Sequence, residues 1–133
     1  SLLSFRGDYG STWEGTVVIR NSRWTPGCGA AIQPHMIAGS NDGQHDFGYP
    51  CFMPAKITID GLVIDDRNHP KDYKGPYLFN DPDGAKASAT ERPFSYRLTE
   101  QVTIRNLTTT SGLKFRTSPD AEFNTRVKVI EAN

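Results

Sequence analysis

Two segments of the sequence combine ionisable side chains with aromatic rings, a mixture typical of catalytic and sugar-binding sites. The first segment runs from Asn41 to Tyr49 and the second from Asp65 to Tyr73. The side chains suited to acid or base chemistry are Asp65, Asp66, His45 and His69. Those suited to substrate binding are Asp46, Tyr49, Tyr73 and Arg67. Paired carboxylates can act as general acid and base in glycoside hydrolysis, and tyrosine rings can stack on the apolar faces of sugars.

A structural role is the alternative interpretation of the same residues. Asp65 and Asp66 come where a strand ends and a loop begins, and aspartate there commonly accepts hydrogen bonds from backbone amides. His45 and His69 would then anchor their loops or face solvent. The two interpretations differ in whether the two segments converge on one groove.

The elements that position these loops are predicted to be β-strands. Gly, Pro, Thr, Asn and Asp interrupt every window that could otherwise form an amphipathic helix. A short phrase recurs instead, at Thr16 to Asn21, Lys56 to Gly61 and Gln101 to Asn106, with a fainter copy at Arg126 to Ile130. Repeats at intervals of tens of residues indicate a solenoid.

Each phrase has the alternation of a strand with one buried face. The residues expected to point inward are Val17 and Ile19, Ile57 and Ile59, Val102 and Ile104, and Val127 and Val129. The alternation continues after the phrase, where Trp24 occupies the place of Ile64, so a second short strand is expected to follow a one-residue corner. Asn21, Gly61 and Asn106 occupy that corner, and all three tolerate a left-handed backbone.

A third strand can be matched in each repeat. Pro34 to Ile37 and Pro76 to Phe79 occupy similar places after the first two phrases, and Gly112 to Phe115 is a shorter counterpart. Each coil of the solenoid is therefore expected to contain three strands. The competing fold is an antiparallel β-sandwich or jelly roll, which also has short alternating strands. It does not explain why the same corner residue returns in register.

The Val-x-Ile-Arg-Asn phrase with a following Leu, repeated once per coil, resembles the pectin lyase-like superfamily of right-handed parallel β-helices. The resemblance covers most of the chain and implies an all-β solenoid of about three to four coils, with asparagines stacked at the corner. We expect residues 1–133 to form a single β-helix domain or part of one, with long loops at residues 39–54, 66–75 and 80–97. Neither end has a recognisable cap, so further coils or a homo-oligomer are expected to cover the ends.

The resemblance says less about activity, because one scaffold serves lyases, hydrolases, tailspikes and adhesins. The Asn-Thr-Asp, Gly-His-Gly and Arg-Ile-Lys motifs of polygalacturonases are absent from the sequence. The outward column Arg20, Asp60 and Arg105 has the residue types of a pectate lyase site, which would use calcium. A ladder of ion pairs on the surface explains that column equally well. Asn106 begins a glycosylation sequon, which we attribute to chance because Asn106 is expected to face inward.

Composition narrows the classes of partner. Lys and Arg number 15 and Asp and Glu also number 15, so no global field recruits nucleic acid or an anionic membrane. No stretch is long enough to insert into a membrane. Cys28 and Cys51 lack zinc-site spacing and are either a disulfide or two free thiols.

We therefore expect a secreted, periplasmic or cell-surface protein whose partner is a polysaccharide or other glycan. It is interpreted as part of a polysaccharide lyase or glycoside hydrolase, with calcium as the cofactor that the resemblance allows. The alternative is a non-catalytic β-helix that binds glycan or serves as a rigid stalk, as in adhesins and tailspikes.

Overall fold

The computed structural model describes residues 1–6, 10–27, 34–40, 49–80, 96–97, 99–119 and 127–132. All regular structure within these residues is β, which confirms the predicted all-β class. The nine strands are β1 (Leu3–Arg6), β2 (Thr16–Trp24), β3 (His35–Ser40), β4 (Cys51–Phe52), β5 (Lys56–Ile64), β6 (Tyr77–Asn80), β7 (Tyr96–Arg97), β8 (Gln101–Thr109) and β9 (Lys128–Glu131). The described residues contain no helix long and apolar enough to cross a membrane.

The strands form three sheets, and every pairing between them is parallel. The four-stranded sheet has the order β2-β5-β8-β9, the three-stranded sheet β1-β3-β6 and the two-stranded sheet β4-β7. From β2 to β8 the chain visits the sheets in a fixed order, first the four-stranded, then the three-stranded, then the two-stranded. We call one such circuit a pass. The described pairings are thus the opposite of those in an antiparallel sandwich.

The four-stranded sheet contains the repeated phrase and its corner. Asn21 and Asn106 have positive φ angles of 48° and 51°, and the φ angle of Gly61 is 79°. This confirms the predicted left-handed corner, because these residue types pay little for that backbone conformation. The corner lies within one continuous nine-residue strand in β2, β5 and β8. Pairing resumes directly after it, with Trp24 opposite Ile64 as predicted.

The inward residues of the repeats form the core. Ile57, Ile59, Val102 and Ile104 are at most 4% exposed, and Val127 is buried as well. Val17, Ile19 and Val129 are partly buried and pack against the same cluster. The three-stranded sheet adds Met36, Ile37, Leu78 and Phe79 to it. The predicted alternation of faces is therefore confirmed in all four copies of the phrase.

Paired strands are far apart in sequence. Val17 is opposite Ile57, and Ile57 is opposite Val102, so the pairs are separated by 40 and 45 residues. In the last pair Val102 is opposite Val129, 27 residues away. Val129 therefore occupies the place of the first inward residue of the phrase, which the sequence pattern assigned to Val127. Both face inward, because a shift of two residues preserves the face of a strand.

Three further expectations are corrected. The segments predicted as loops at residues 39–54 and 80–97 contain β4 and β7, and β3 extends to Ser40. The third-strand counterpart in the last pass is not Gly112 to Phe115, because Arg116 forms the bridge to Tyr77. Asn106 is exposed instead of facing inward, and its side-chain amide donates a hydrogen bond of 3.1 Å to Asp60.

The alternation of buried and exposed side chains along β2 and β5 can be tested by mutation. Ile59 is completely buried, whereas Val18, on the outer face of the neighbouring strand, is 47% exposed. Ile59→Ala should lower the free energy of unfolding by about 2–5 kcal/mol, since it removes buried methyl groups and leaves a cavity. Val18→Ala should change it by about 0.5 kcal/mol. Urea unfolding followed by circular dichroism measures both, and equal losses would contradict the assignment of faces.

Candidate functional site

The paired aspartates follow Ile64, the last residue of β5. The amide of Asp65 donates a 2.7 Å hydrogen bond to the carbonyl of Trp24, so the strand geometry extends to this residue. The Thr110 hydroxyl lies 3.2 Å from an oxygen of Asp65 and 3.3 Å from an oxygen of Asp66, so both carboxylates approach the loop after β8. The Asp66 residue is 0% exposed, whereas the Asp65 side chain is 13% exposed.

Asp66 is held by the loop that follows β8 and by a tyrosine from its own loop. Its Oδ1 accepts the Ser111 amide at 2.8 Å, and the Thr110 hydroxyl oxygen lies 3.3 Å from it. Its Oδ2 accepts the hydroxyls of Ser111 and Tyr73, both at 2.7 Å. Burial acts to raise the pKa of Asp66, but the hydrogen bonds from Ser111 and Tyr73 outweigh it and hold the pKa below its usual value.

Asp65 is held by two arginines. Arg67 donates from Nε to Oδ1 at 2.7 Å and from Nη2 to Oδ2 at 2.9 Å, which is the bidentate geometry of a strong pair. Arg23, from β2, donates to Oδ2 at 2.8 Å, and the Thr110 hydroxyl donates to Oδ1 at 3.2 Å. The hydrogen bonds from Arg67 and then Arg23 hold the pKa of Asp65 well below its usual range.

The histidine and tyrosine of the same loop stack on each other. The rings of His69 and Tyr73 are 4.8 Å apart with an angle of 23° between their planes. The His69 Nδ1 lies 2.8 Å from the carbonyl oxygen of Pro70. His69 is exposed, whereas Tyr73 is only 5% exposed. Little of the Tyr73 ring is therefore accessible to a sugar.

The structure brings together five of the eight residues predicted for the site, namely Asp65, Asp66, Arg67, His69 and Tyr73. Tyr49 lies elsewhere, before β4, where it is 64% exposed and its Cβ lies against Gly10. His45 and Asp46 lie outside the described residues. Convergence of the two loops on a groove therefore stays a prediction.

Three residues of the network were missed by sequence reasoning: Arg23, Thr110 and Ser111. The signal was present in the repeat. Ile64 is opposite Thr109, so extending the register by one and two residues places Thr110 beside Asp65 and Ser111 beside Asp66. Arg23 is the outward residue two places after the Asn21 corner. Combining alternation with register would have identified all three.

The arrangement is suited to holding strands together. A carboxylate offers about four acceptor positions. Each aspartate accepts three hydrogen bonds of 2.9 Å or shorter, and the Thr110 hydroxyl, within 3.3 Å of both, can donate its proton to one of them at a time. The donors come from β2, from the loop after β5 and from the loop after β8, so one network joins three adjacent strands. With lowered pKa values both groups stay ionised at neutral pH, and neither carries a proton to donate.

Within the described ranges, no group of three or more His, Cys, Asp or Glu side chains is arranged to hold a metal ion. The carboxylate oxygens of Asp65 and Asp66 already accept hydrogen bonds from Arg23, Arg67, Ser111 and Tyr73. Cys51 is a buried free thiol, and Cys28 lies outside the described residues.

Comparisons with known proteins provide no family for the chain. No protein-family model matches it, and no curated protein or solved structure shows significant similarity to it.

Proposed function

We propose that the chain is a section of a right-handed parallel β-helix of the pectin lyase-like kind. Support comes from the fixed order in which successive passes contribute a strand to each of the three sheets, with parallel pairing throughout. Left-handed corners at equivalent places in β2, β5 and β8 add to it. Parallel connections between strands of one sheet are right-handed in nearly all proteins.

Within this scaffold, the function best supported by the geometry is that of a non-catalytic, glycan-binding β-helix. The observation that carries the proposal is the complete engagement of Asp65 and Asp66. A general acid must hold a proton near neutral pH and reach the bond it cleaves. Asp66 is fully buried and Asp65 is paired with two arginines, so neither carboxylate meets both requirements.

We propose a glycan as the partner because the repeated phrase resembles the pectin lyase-like superfamily, whose scaffold serves polysaccharide lyases, hydrolases, tailspikes and adhesins. A secreted, periplasmic or cell-surface location belongs to the same proposal. A lyase or hydrolase centred on Asp65, Asp66, His45 and His69 stays the competing prediction. Its residues Asp46, Tyr49 and Arg67 would contact substrate, and Arg67 could do so only by leaving Asp65.

A polysaccharide panel separates the two functions. The purified chain should migrate more slowly in gels that contain a bound polysaccharide, while reducing ends and ultraviolet-absorbing unsaturated products stay at background. Asp65→Asn should leave that retardation within twofold of the original. Release of product that Asp65→Asn or His69→Ala abolishes, with the circular dichroism spectrum unchanged, would establish an enzyme instead. Absence of retardation by every polysaccharide would refute glycan binding.

A further inference from the structure

The outer face of the four-stranded sheet carries basic side chains in a regular arrangement. Register places Lys56 opposite Gln101, and Gln101 opposite Lys128, in one row across the strands. A second row contains Arg20, Asp60 and Arg105, again on neighbouring strands. These side chains lie at the positions between the buried residues of the core, so they point away from it. We call Arg20, Lys56, Arg105 and Lys128 the basic face.

The four cations of the basic face are exposed. The ladder of ion pairs expected for Arg20, Asp60 and Arg105 is not formed. In the described part of the chain, the ion pairs join Asp65 to Arg23 and to Arg67, and Lys114 to Glu131. Asp60 instead accepts its hydrogen bond from the amide of Asn106. The basic face therefore has four cations and a single carboxylate among them, although the whole chain has no net charge.

The spacing of these charges is set by the sheet. Adjacent strands are about 4.8 Å apart, so cations on alternate strands are separated by roughly 9.6 Å. This applies to Arg20 and Arg105 in one row and to Lys56 and Lys128 in the other. Between the rows lies a third row, formed by Val18, Thr58, Thr103 and Ile130. The hydroxyls of its two threonines can bond to polar groups of a ligand. The face is an open surface of sparse, evenly spaced positive charge.

The charge density favours one class of polyanion. Duplex DNA carries one negative charge per about 1.7 Å of its axis, so cations this sparse would neutralise few phosphates. The outward positions of the four strands also lack aromatic residues on which unpaired bases could stack. A polysaccharide with one anionic group every one or two sugars has a lower charge density, and its hydroxyls match the threonines.

We propose that the basic face binds a linear polysaccharide bearing carboxylate or sulfate groups, which lies across the strands and contacts Arg20, Lys56, Arg105 and Lys128. The identity of the ligand as a glycan rests on the function proposed above, and the site and its anion preference are additional. This surface is the outer side of the sheet and is distinct from the Asp65–Asp66 network.

The test measures binding of the full chain to hyaluronan, dextran sulfate and uncharged dextran by isothermal calorimetry. Either charged polymer should bind at least tenfold more tightly than dextran, and the better one identifies carboxylate or sulfate as the preferred group. The double variant Arg20→Gln, Arg105→Gln should weaken that binding at least tenfold. The double variant Lys71→Gln, Lys74→Gln removes the same charge from exposed loop positions and should stay within twofold. Melting curves verify that both variants fold.

The outcomes separate this inference from the function on which it rests. Equal binding of dextran and the charged polymers, or equal losses in the two double variants, overturns the basic face while glycan binding stands. Failure to bind any of the three polymers overturns the basic face, and the gel panel above decides independently whether other glycans bind. Tighter binding of an oligo-thymidylate strand with the same dependence on Arg20 and Arg105 would make the face a nucleic-acid surface and overturn the proposal.

Discussion

Replacing Asp66 with alanine is expected to lower the free energy of unfolding by about 3–5 kcal/mol, because several buried hydrogen-bond donors lose their acceptor at once. The amide and hydroxyl of Ser111 and the hydroxyl of Tyr73 all lose their acceptor. For a chain of this size the melting temperature should fall by roughly 11–18 °C. Thermal melts followed by circular dichroism measure this fall in melting temperature. Asp72→Ala, at an exposed position in the same loop, serves as the control and should change the melting temperature by less than about 2 °C.

Acidification gives a second measure of the same interaction. The folded pKa of Asp66 is below its value in the unfolded chain, so the stabilisation is fully present above about pH 4 and declines as the pH falls through the folded pKa. Asp66→Ala lacks this contribution, so the difference between the two proteins should shrink below about pH 4. A constant difference from pH 7 to pH 3 would show that Asp66 acts through packing alone. A melting temperature unchanged by Asp66→Ala would contradict the anchoring role.

The second large effect is expected at Gly75, where the loop after β5 passes the segment after β8. The φ angle of Gly75 is +105°, and an added Cβ would lie 2.5 Å from the carbonyl oxygen of Lys114. Gly75→Ala combines an unfavourable backbone conformation with a clash against backbone, so it should cost about 2–4 kcal/mol of the free energy of unfolding. Urea unfolding measures the loss.

Gly112 provides the matched comparison for this variant. Its φ angle is +77°, and an added Cβ would meet nothing within 4 Å. Gly112→Ala should therefore cost only the strain of the left-handed backbone, about 1–2 kcal/mol. If Gly75→Ala costs no more than Gly112→Ala, the close approach to Lys114 does not constrain the loop.

The repeated phrase predicted the core of the fold well. Val-x-Ile followed by Asn or Gly specifies both a face and a corner, since β-branched residues favour strands and few residue types tolerate a positive φ angle. Alternation and corner together fixed the register of β2, β5 and β8, including Trp24 opposite Ile64. Such predictions succeed because each depends on local chemistry that recurs in equivalent places. The pectin lyase-like identity stays a prediction.

The parts that were missed depend on long-range contacts. Strands β4 and β7 have two residues each, too few for a periodic pattern, and exist because Cys51 and Phe52 lie opposite Tyr96 and Arg97. The last pass is shorter than the others, so its strand β9 aligns two residues away from the position that sequence similarity indicates. The exposure of Asn106 is likewise set by which strands lie beside it.

For the site, sequence chemistry identified Asp65, Asp66, Arg67, His69 and Tyr73 as a group but not what they do together. Adjacent aspartates suggested an acid and base pair. The structure instead buries one carboxylate and leaves the other partly exposed, each with three donors of its own and with the Thr110 hydroxyl close to both. The donors Arg23, Thr110 and Ser111 come from passes 40 or more residues away, and only the register reveals them.

The separation of 27 to 45 residues between paired strands of the four-stranded sheet has a consequence for how the chain folds. No strand of the four-stranded sheet can pair until the chain has closed a loop of at least 27 residues, which makes the first pairing entropically costly and slow. Once two passes have met, each further pass adds to a template whose register is already set. Refolding should therefore show nucleation followed by growth from neighbour to neighbour, and variants at Ile59 in the central strand should slow it more than variants at Val129.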